Sequence, residues 1–93
     1  MIIESLELKL YAPWVHSLKE KRMIVKSLTN KISNHFNVSV IEVDDQDLHQ
    51  SIALGIVCAA GSTAQADSII DHVIAFIEEN TEAELINLRR ELR

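Results

Sequence analysis

Hydrophobic and polar residues alternate from Ile2 to Tyr11. Ile2, Leu6, Leu8 and Leu10 fall on one side, and Ile3, Ser5, Glu7, Lys9 and Tyr11 on the other. A period of two is that of a strand with one buried face. Glu4 breaks the pattern by falling on the apolar side. Ala12-Pro13 ends the strand, and the chain loops through Trp14, Val15 and His16. The period then changes to that of a helix. Leu18, Val25, Leu28 and Ile32 form an apolar stripe with Ile24 on its flank. Ser17 and Glu20 have capping-box spacing, in which each side chain satisfies the other's backbone N–H. The helix is expected to end near Asn34. Lys21 falls inside the apolar stripe, so its stem is expected to follow the core rim and its ammonium to reach water.

Phe36 to Val43 is short and β-branched and reads as a second strand. Asp44-Asp45-Gln46-Asp47 has turn chemistry. Ser51 to Ala60 is apolar on both faces, as in a central strand. The larger residues Ile52, Leu54, Ile56 and Cys58 share one face; the smaller Ala53, Gly55, Val57 and Ala59 share the other. Gly61-Ser62-Thr63 ends that strand and caps a second helix, which is expected to run to about Glu79 with Ala66, Ile70, Val73 and Ile77 inward. Ile86, Leu88 and Leu92 alternate in a last strand.

The order strand, helix, strand, strand, helix, strand predicts an α+β protein with the ferredoxin-like split βαβ arrangement. Two helices cover one face of a four-stranded antiparallel sheet in the order 4-1-3-2. Residues 1–93 form a single domain on this reading.

Composition narrows the function classes. A net charge of −5 argues against wholesale nucleic-acid binding, so any such activity needs a local basic patch. The single cysteine, Cys58, allows no internal disulfide and suits a reducing compartment. No apolar run reaches the length of a membrane span, and Glu4 and Glu7 interrupt any signal-peptide pattern. A cytoplasmic protein without membrane contact is expected.

The topology gathers three distant stretches at one edge: Trp14 to Arg22, Asp44 to Gln50, and Glu78 to Glu84. Lys19, Arg22 and Lys26 cluster on the helix side opposite the stripe. Cations at a helix N-terminus and acids at a helix C-terminus are each locally disfavoured. Two accounts of these charges stand. In the first, Lys19, Lys21 and Arg22 neutralise Glu78 and Glu79, with Asp44, Asp45 and Asp47 joining them, as edge charges of purely structural use. In the second, Lys19, Lys21, Arg22 and Lys26, with Trp14 and His49, recognise RNA or a protein partner.

Tyr11-x-Pro13, Ser17-Leu18-Lys19-Glu20-Lys21-Arg22, Phe36-Asn37-Val38-Ser39-Val40, Gln46-Asp47-Leu48 and the apolar third strand together resemble the YlxP-like family. The match runs in order over nearly the whole chain. The resemblance implies a ferredoxin-like fold and a small bacterial protein of unassigned activity. Such proteins are often encoded beside transcription and translation factors, which implies a role near RNA or the ribosome. One departure is His49, where the family often carries an aromatic, usually Trp; a stacking contact there would be altered in this chain.

Chemical constellations are sparse. His16, His35, His49 and His72 lack metal-ligand spacing, although His16 and His49 with Asp44 or Asp47 could make a two-His-one-carboxylate set. Asp44-x-x-Asp47 could hold Mg²⁺ beside a partner's phosphate, but such clusters are more often solvated turns. Cys58 reads as inert packing. No nucleophile–base triad or Gly-rich phosphate loop is present. The open sheet face carries small apolar residues and not the stacking aromatics of an RNA-recognition motif. The chain is therefore expected to be a non-enzymatic binding protein without cofactor. Its expected partner is ribosomal RNA or a translation or ribosome-maturation factor. The alternative is a homodimer or small-molecule module built on the open sheet face.

Overall fold

A computed structural model describes residues 1–93. Strand β1 spans Ile2–Tyr11, helix α1 Leu18–His35, strand β2 Ser39–Asp44, strand β3 Ser51–Ala60, helix α2 Thr63–Asn80 and strand β4 Glu84–Leu92. All strand pairs are antiparallel, and the sheet order β2-β3-β1-β4 is the expected 4-1-3-2 read from the other edge.

The core lies where period two meets period 3.6. Leu6, Leu8 and Leu10 of β1 and Ile52, Leu54, Ile56 and Cys58 of β3 are buried with Leu28 and Ile32 of α1 and Ala66, Ile70, Val73 and Ile77 of α2. Both helices thus cover one face. β1 and β3 are in register over their whole length, from Ile2 opposite Ala60 to Tyr11 opposite Ser51, so the two apolar strands form the middle of the sheet.

Three local expectations are corrected. Phe36 belongs to the end of α1, not to β2: its N–H donates to Ile32 O, and its ring meets Phe76 edge-on at 5.4 Å. The aromatic contact across the helices holds that residue before the strand can start. The α1 cap is displaced by one residue from a capping box. Ser17 Oγ accepts from Glu20 N–H, but Glu20 Oε2 accepts from the His16 N–H and not from that of Ser17. Ile86, Leu88 and Leu92 do not reach the core. Ile86 is the extra residue of a bulge opposite Lys9 and Leu10, and β4 is an edge strand at the margin of the helical layer. Leu85 turns inward in its place, half-buried beside the core.

The second bulge shapes the open face. Ile41 pairs with Gly55 and Asp44 with Ala53, so Val43 is left over. Its methyl group leans across Gly55, 2.5 Å from where a Cβ at that glycine would sit. Only the missing side chain lets the bulge close there.

Candidate binding edge

Three loops and a helix start meet at the end of the sheet where β1 stops. Ser17 begins α1 there by accepting from the Glu20 N–H at 3.1 Å, which satisfies one of the four donors a helix start leaves free. Lys21, one turn later, is the residue that joins the edge together. The expectation that its ammonium reaches water is wrong. Lys21 is 1% exposed, and Nζ donates to Asp45 O and to Leu48 O, the latter at 2.8 Å. It also lies 2.8 Å from Glu42 Oε2, an ion pair whose angle falls outside hydrogen-bond geometry. Two carbonyls and a carboxylate replace the water an ammonium with three donors would otherwise hold. Burial of this ion is tolerated because its donors are matched, and the match fixes the β2–β3 loop to α1. Lys21 is thus removed from the set of residues that can contact a partner.

Asp45 is the second anchor. Its backbone takes the left-handed conformation, φ 56°, which Asp tolerates better than most residues, and its carbonyl accepts from the Leu48 N–H to close the turn. Its carboxylate accepts from Ser51 Oγ at 2.7 Å and pairs with Lys9 at 3.1 Å. The Ser51 hydroxyl first, and then Lys9, hold that carboxyl below the usual aspartate range. Gln50 makes the third tie. Its Nε2 donates to Pro13 O at 3.0 Å and Val15 O at 3.3 Å, while its own carbonyl accepts from the Ala12 N–H.

The exposed surface above these ties is partly apolar. Tyr11, Trp14 and Leu48 are 39%, 41% and 55% exposed, and His49 is exposed beside them. Along α1, Lys19, Arg22 and Lys26 are exposed as expected.

The proposed neutralisation across the edge does not occur. Glu78, Glu79, Asp44 and Asp47 make no ion pair, and neither do Lys19, Arg22 and Lys26. The reason lies in the helix offset. The end of α2 lies beside the middle of α1, where Asn80 and Thr81 line a groove with Met23, Ser27 and Lys31, and Phe76 stacks on His35. Of the acids assigned to that edge only Asp45 is paired, and its partner is Lys9. No three His, Cys, Asp or Glu side chains come together in a metal-binding group.

A scan against protein-family models matches residues 3–90 to a family described as Protein of unknown function (DUF503). The chain belongs to the DUF503 family. Consistent with this, it is 37% identical over 75 residues to the Uncharacterized protein YlxP of Bacillus subtilis (strain 168), covering 81% of this chain and 82% of that protein. Among solved structures, a de novo designed ferredoxin-fold protein, LFR1 1, aligns over 100% of this chain and 86% of its own, with TM-score 0.60 and 22% identity. The protein At3g17210 of Arabidopsis thaliana aligns over 98% and 92%, with TM-score 0.52 and 14% identity. At these identities the likeness establishes the ferredoxin-like fold alone.

The opposite end of this DUF503 member holds the cluster around Glu4, the acid that breaks the alternation of β1. Glu4 is 1% exposed, and its Oε2 accepts from Arg90 Nε at 2.9 Å and lies 2.8 Å from Nη2. Arg90 also reaches Asp71 and lies 3.6 Å from Asp67 at the start of α2. Glu4 Oε1 is buried without a partner. One guanidinium serves three carboxylates, so desolvation prevails and raises the Glu4 carboxyl above its ordinary range. The signal for this pair was the acid at position 4 on an apolar face; Arg90, opposite Leu6 in the sheet, is its complement on the same face. Cys58, opposite Glu4, is buried, and desolvation pushes its thiol up.

Proposed function

We propose that this DUF503 member is a non-enzymatic binding protein that docks the outer face of α1 on ribosomal RNA or an RNA-bound translation factor. One observation carries the reading. Of nine Lys and Arg residues, Lys9, Lys21, Arg89, Arg90 and Arg93 are in ion pairs. The four without one, Lys19, Arg22, Lys26 and Lys31, are all exposed and all on α1. A chain of net charge −5 therefore keeps its free positive charge on one helix. The macrodipole disfavours Lys19 and Arg22 there, and the fold gains nothing visible from them. A phosphate backbone gains from such a stripe, because each cation that contacts it releases condensed counterions.

The test is binding to structured RNA or ribosomal particles as a function of salt. Contacts from Lys19, Arg22 and Lys26 give a logarithmic slope of about −2 to −3. Lys19→Glu, Arg22→Glu and Lys26→Glu combined should abolish binding with the fold retained. Asp44→Asn with Asp47→Asn should leave binding intact or strengthen it. Wild-type protein that binds no RNA at low salt, or a reversed helix that binds equally well, ends this reading.

A second reading is favoured by the open sheet face. Ile41, Val43 and Val57 are exposed around the hollow over Gly55. A second copy covering that hollow would bury them. Sedimentation at increasing concentration tests this, and a strict monomer at high micromolar concentration removes it.

A further inference from the structure

The tip formed by the β1–α1 and β2–β3 loops is held more firmly than its exposure requires. The buried Lys21 ammonium binds the carbonyls of Asp45 and Leu48, and Gln50 binds those of Pro13 and Val15. Ala12 and Val15 lie buried beneath. On this fixed backbone stand exposed Tyr11, Trp14, Leu48 and His49; Tyr11, Leu48 and His49 border one shallow groove. Two aromatic rings and a leucine kept in water on an ordered support are preorganised for contact, since ordering on binding then costs little.

We infer that this tip is a stacking platform for unpaired nucleotides of the RNA whose phosphates lie along α1. The inference rests on the polyanion reading above and specifies which part of an RNA is bound. Trp14 stands five residues before Lys19 and next to the carbonyls that Gln50 ties down, so the rings and the first of the free cations, Lys19 and Arg22 at the start of α1, share one end of the molecule. Unpaired bases stack on aromatic side chains, whereas bases of an A-form duplex are inaccessible to them. The acids at the tip fit this division. Asp44 and Asp47 are exposed without an ion pair, so they repel phosphate from the tip. They leave it to bases, whose amino groups a carboxylate can accept from.

Trp14 is the only tryptophan, so its emission reports on the tip alone. The full chain is titrated at low salt with an unstructured single-stranded oligoribonucleotide and with a duplex of equal length. Trp14 emission and the anisotropy of labelled RNA are followed separately. The single strand should quench Trp14 saturably and bind more tightly than the duplex, despite the duplex's higher charge density. Trp14→Ala should cost roughly 5- to 100-fold in single-strand affinity and leave duplex binding unchanged. Trp14→Phe, which keeps a ring, should restore most of the loss. Equal binding of both RNAs without a change in emission overturns the inference and leaves the polyanion reading standing. No binding of either RNA overturns both. Emission that responds to a purified ribosomal protein and not to RNA assigns the tip to a protein partner and overturns the inference as well.

Discussion

The two ends of the sheet each bury one ionic side chain, and they use it in opposite ways. Near the start of α1 a cation, Lys21, goes inside and is matched by two carbonyls and Glu42. At the other end an anion, Glu4, goes inside, and Arg90 covers it while also serving Asp67 and Asp71. The lower end consumes its cation completely. The upper end spends one lysine on its scaffold and leaves Lys19, Arg22 and Lys26 unpaired on the adjacent surface. The lower cluster has no cation to spare, since its one guanidinium faces three carboxylates. Unpaired cations beside a rigid support are what the proposed docking requires.

The largest expected effect comes from removing the upper ion. Lys21→Met keeps most of the stem and deletes the ammonium. It leaves the Leu48 carbonyl without its donor, the Asp45 carbonyl with the Leu48 N–H alone, and Glu42 without its counter-ion. A loss of about 3–5 kcal/mol is expected from equilibrium denaturation. Amide exchange should rise through residues 44–50 while β3 stays protected. A loss below about 1 kcal/mol would mean that water takes over the three contacts, and that Lys21 does not set the support.

The lower cluster should be the weaker of the two at neutral pH. Arg90 is 29% exposed, and water can reach its partners. Arg90→Leu should cost about 2–4 kcal/mol at pH 7, because Glu4 is then a buried charge without a counter-ion. Unlike the loss at Lys21, this one should shrink as pH falls towards 5, because the stranded carboxylate can take up a proton and become neutral. A cost independent of pH would show that packing of the Arg90 stem, and not its charge, holds β4 against α2.

Both buried ions were visible in the sequence as violations of pattern: Glu4 on the apolar side of an alternating strand, Lys21 inside a helical stripe. The strands β1 and β3, both N-cap residues and the sheet order followed from period, capping residues and connection rules, all of them local or topological. The resolution of each violation was not local. Lys21 meets residues 24 and 27 positions away, and Glu4 meets an arginine 86 positions away. No period encodes such pairs. The failed pairing of Lys19 and Arg22 with Glu78 and Glu79 has a similar cause. Chain order alone puts the end of α2 at the correct side of the sheet, but side-chain packing between Phe76 and His35 sets how far along α1 it stops.

The two ends should also differ in the sign of their pH dependence. The Asp45 carboxyl lies below its ordinary range, mainly through Ser51 and then Lys9. Its contribution is therefore present above the unfolded value, near 3.8, and is lost as pH falls through the depressed folded value. Glu4 lies above its ordinary range, mainly through desolvation. Its contribution is present below the unfolded value, near 4.5, and is lost as pH rises through the raised folded value. Asp45→Asn should thus flatten the acid limb of stability against pH. Glu4→Gln should remove a decline above pH 4.5 and leave the protein no less stable at pH 7. Thermal denaturation of both variants from pH 3 to 7 measures this, and limbs of equal sign would cancel the distinction.

The smallest expected change in stability is at the residues given the largest functional part. Lys19 and Arg22 stand in the first turns of α1, where the helix dipole presents positive charge to them. Neither has an ion pair to lose, and both are exposed, so no desolvated partner is stranded when either is replaced. Lys19→Glu with Arg22→Glu should therefore change stability by no more than about 0.5–1 kcal/mol, and in the stabilising direction, because a carboxylate near a helix N-terminus is favoured. Added salt should reduce even that gain, since exposed charges are screened over about 10 Å at 0.1 M. Asp67→Asn with Asp71→Asn gives the matched test at the other end. Those acids share Arg90, so their loss should destabilise the fold and leave RNA binding untouched. A charge reversal on α1 that destabilised the protein as much as the change at Asp67 and Asp71 would erase the contrast between the ends. The cations of α1 would then belong to the scaffold, in the same sense as Lys21.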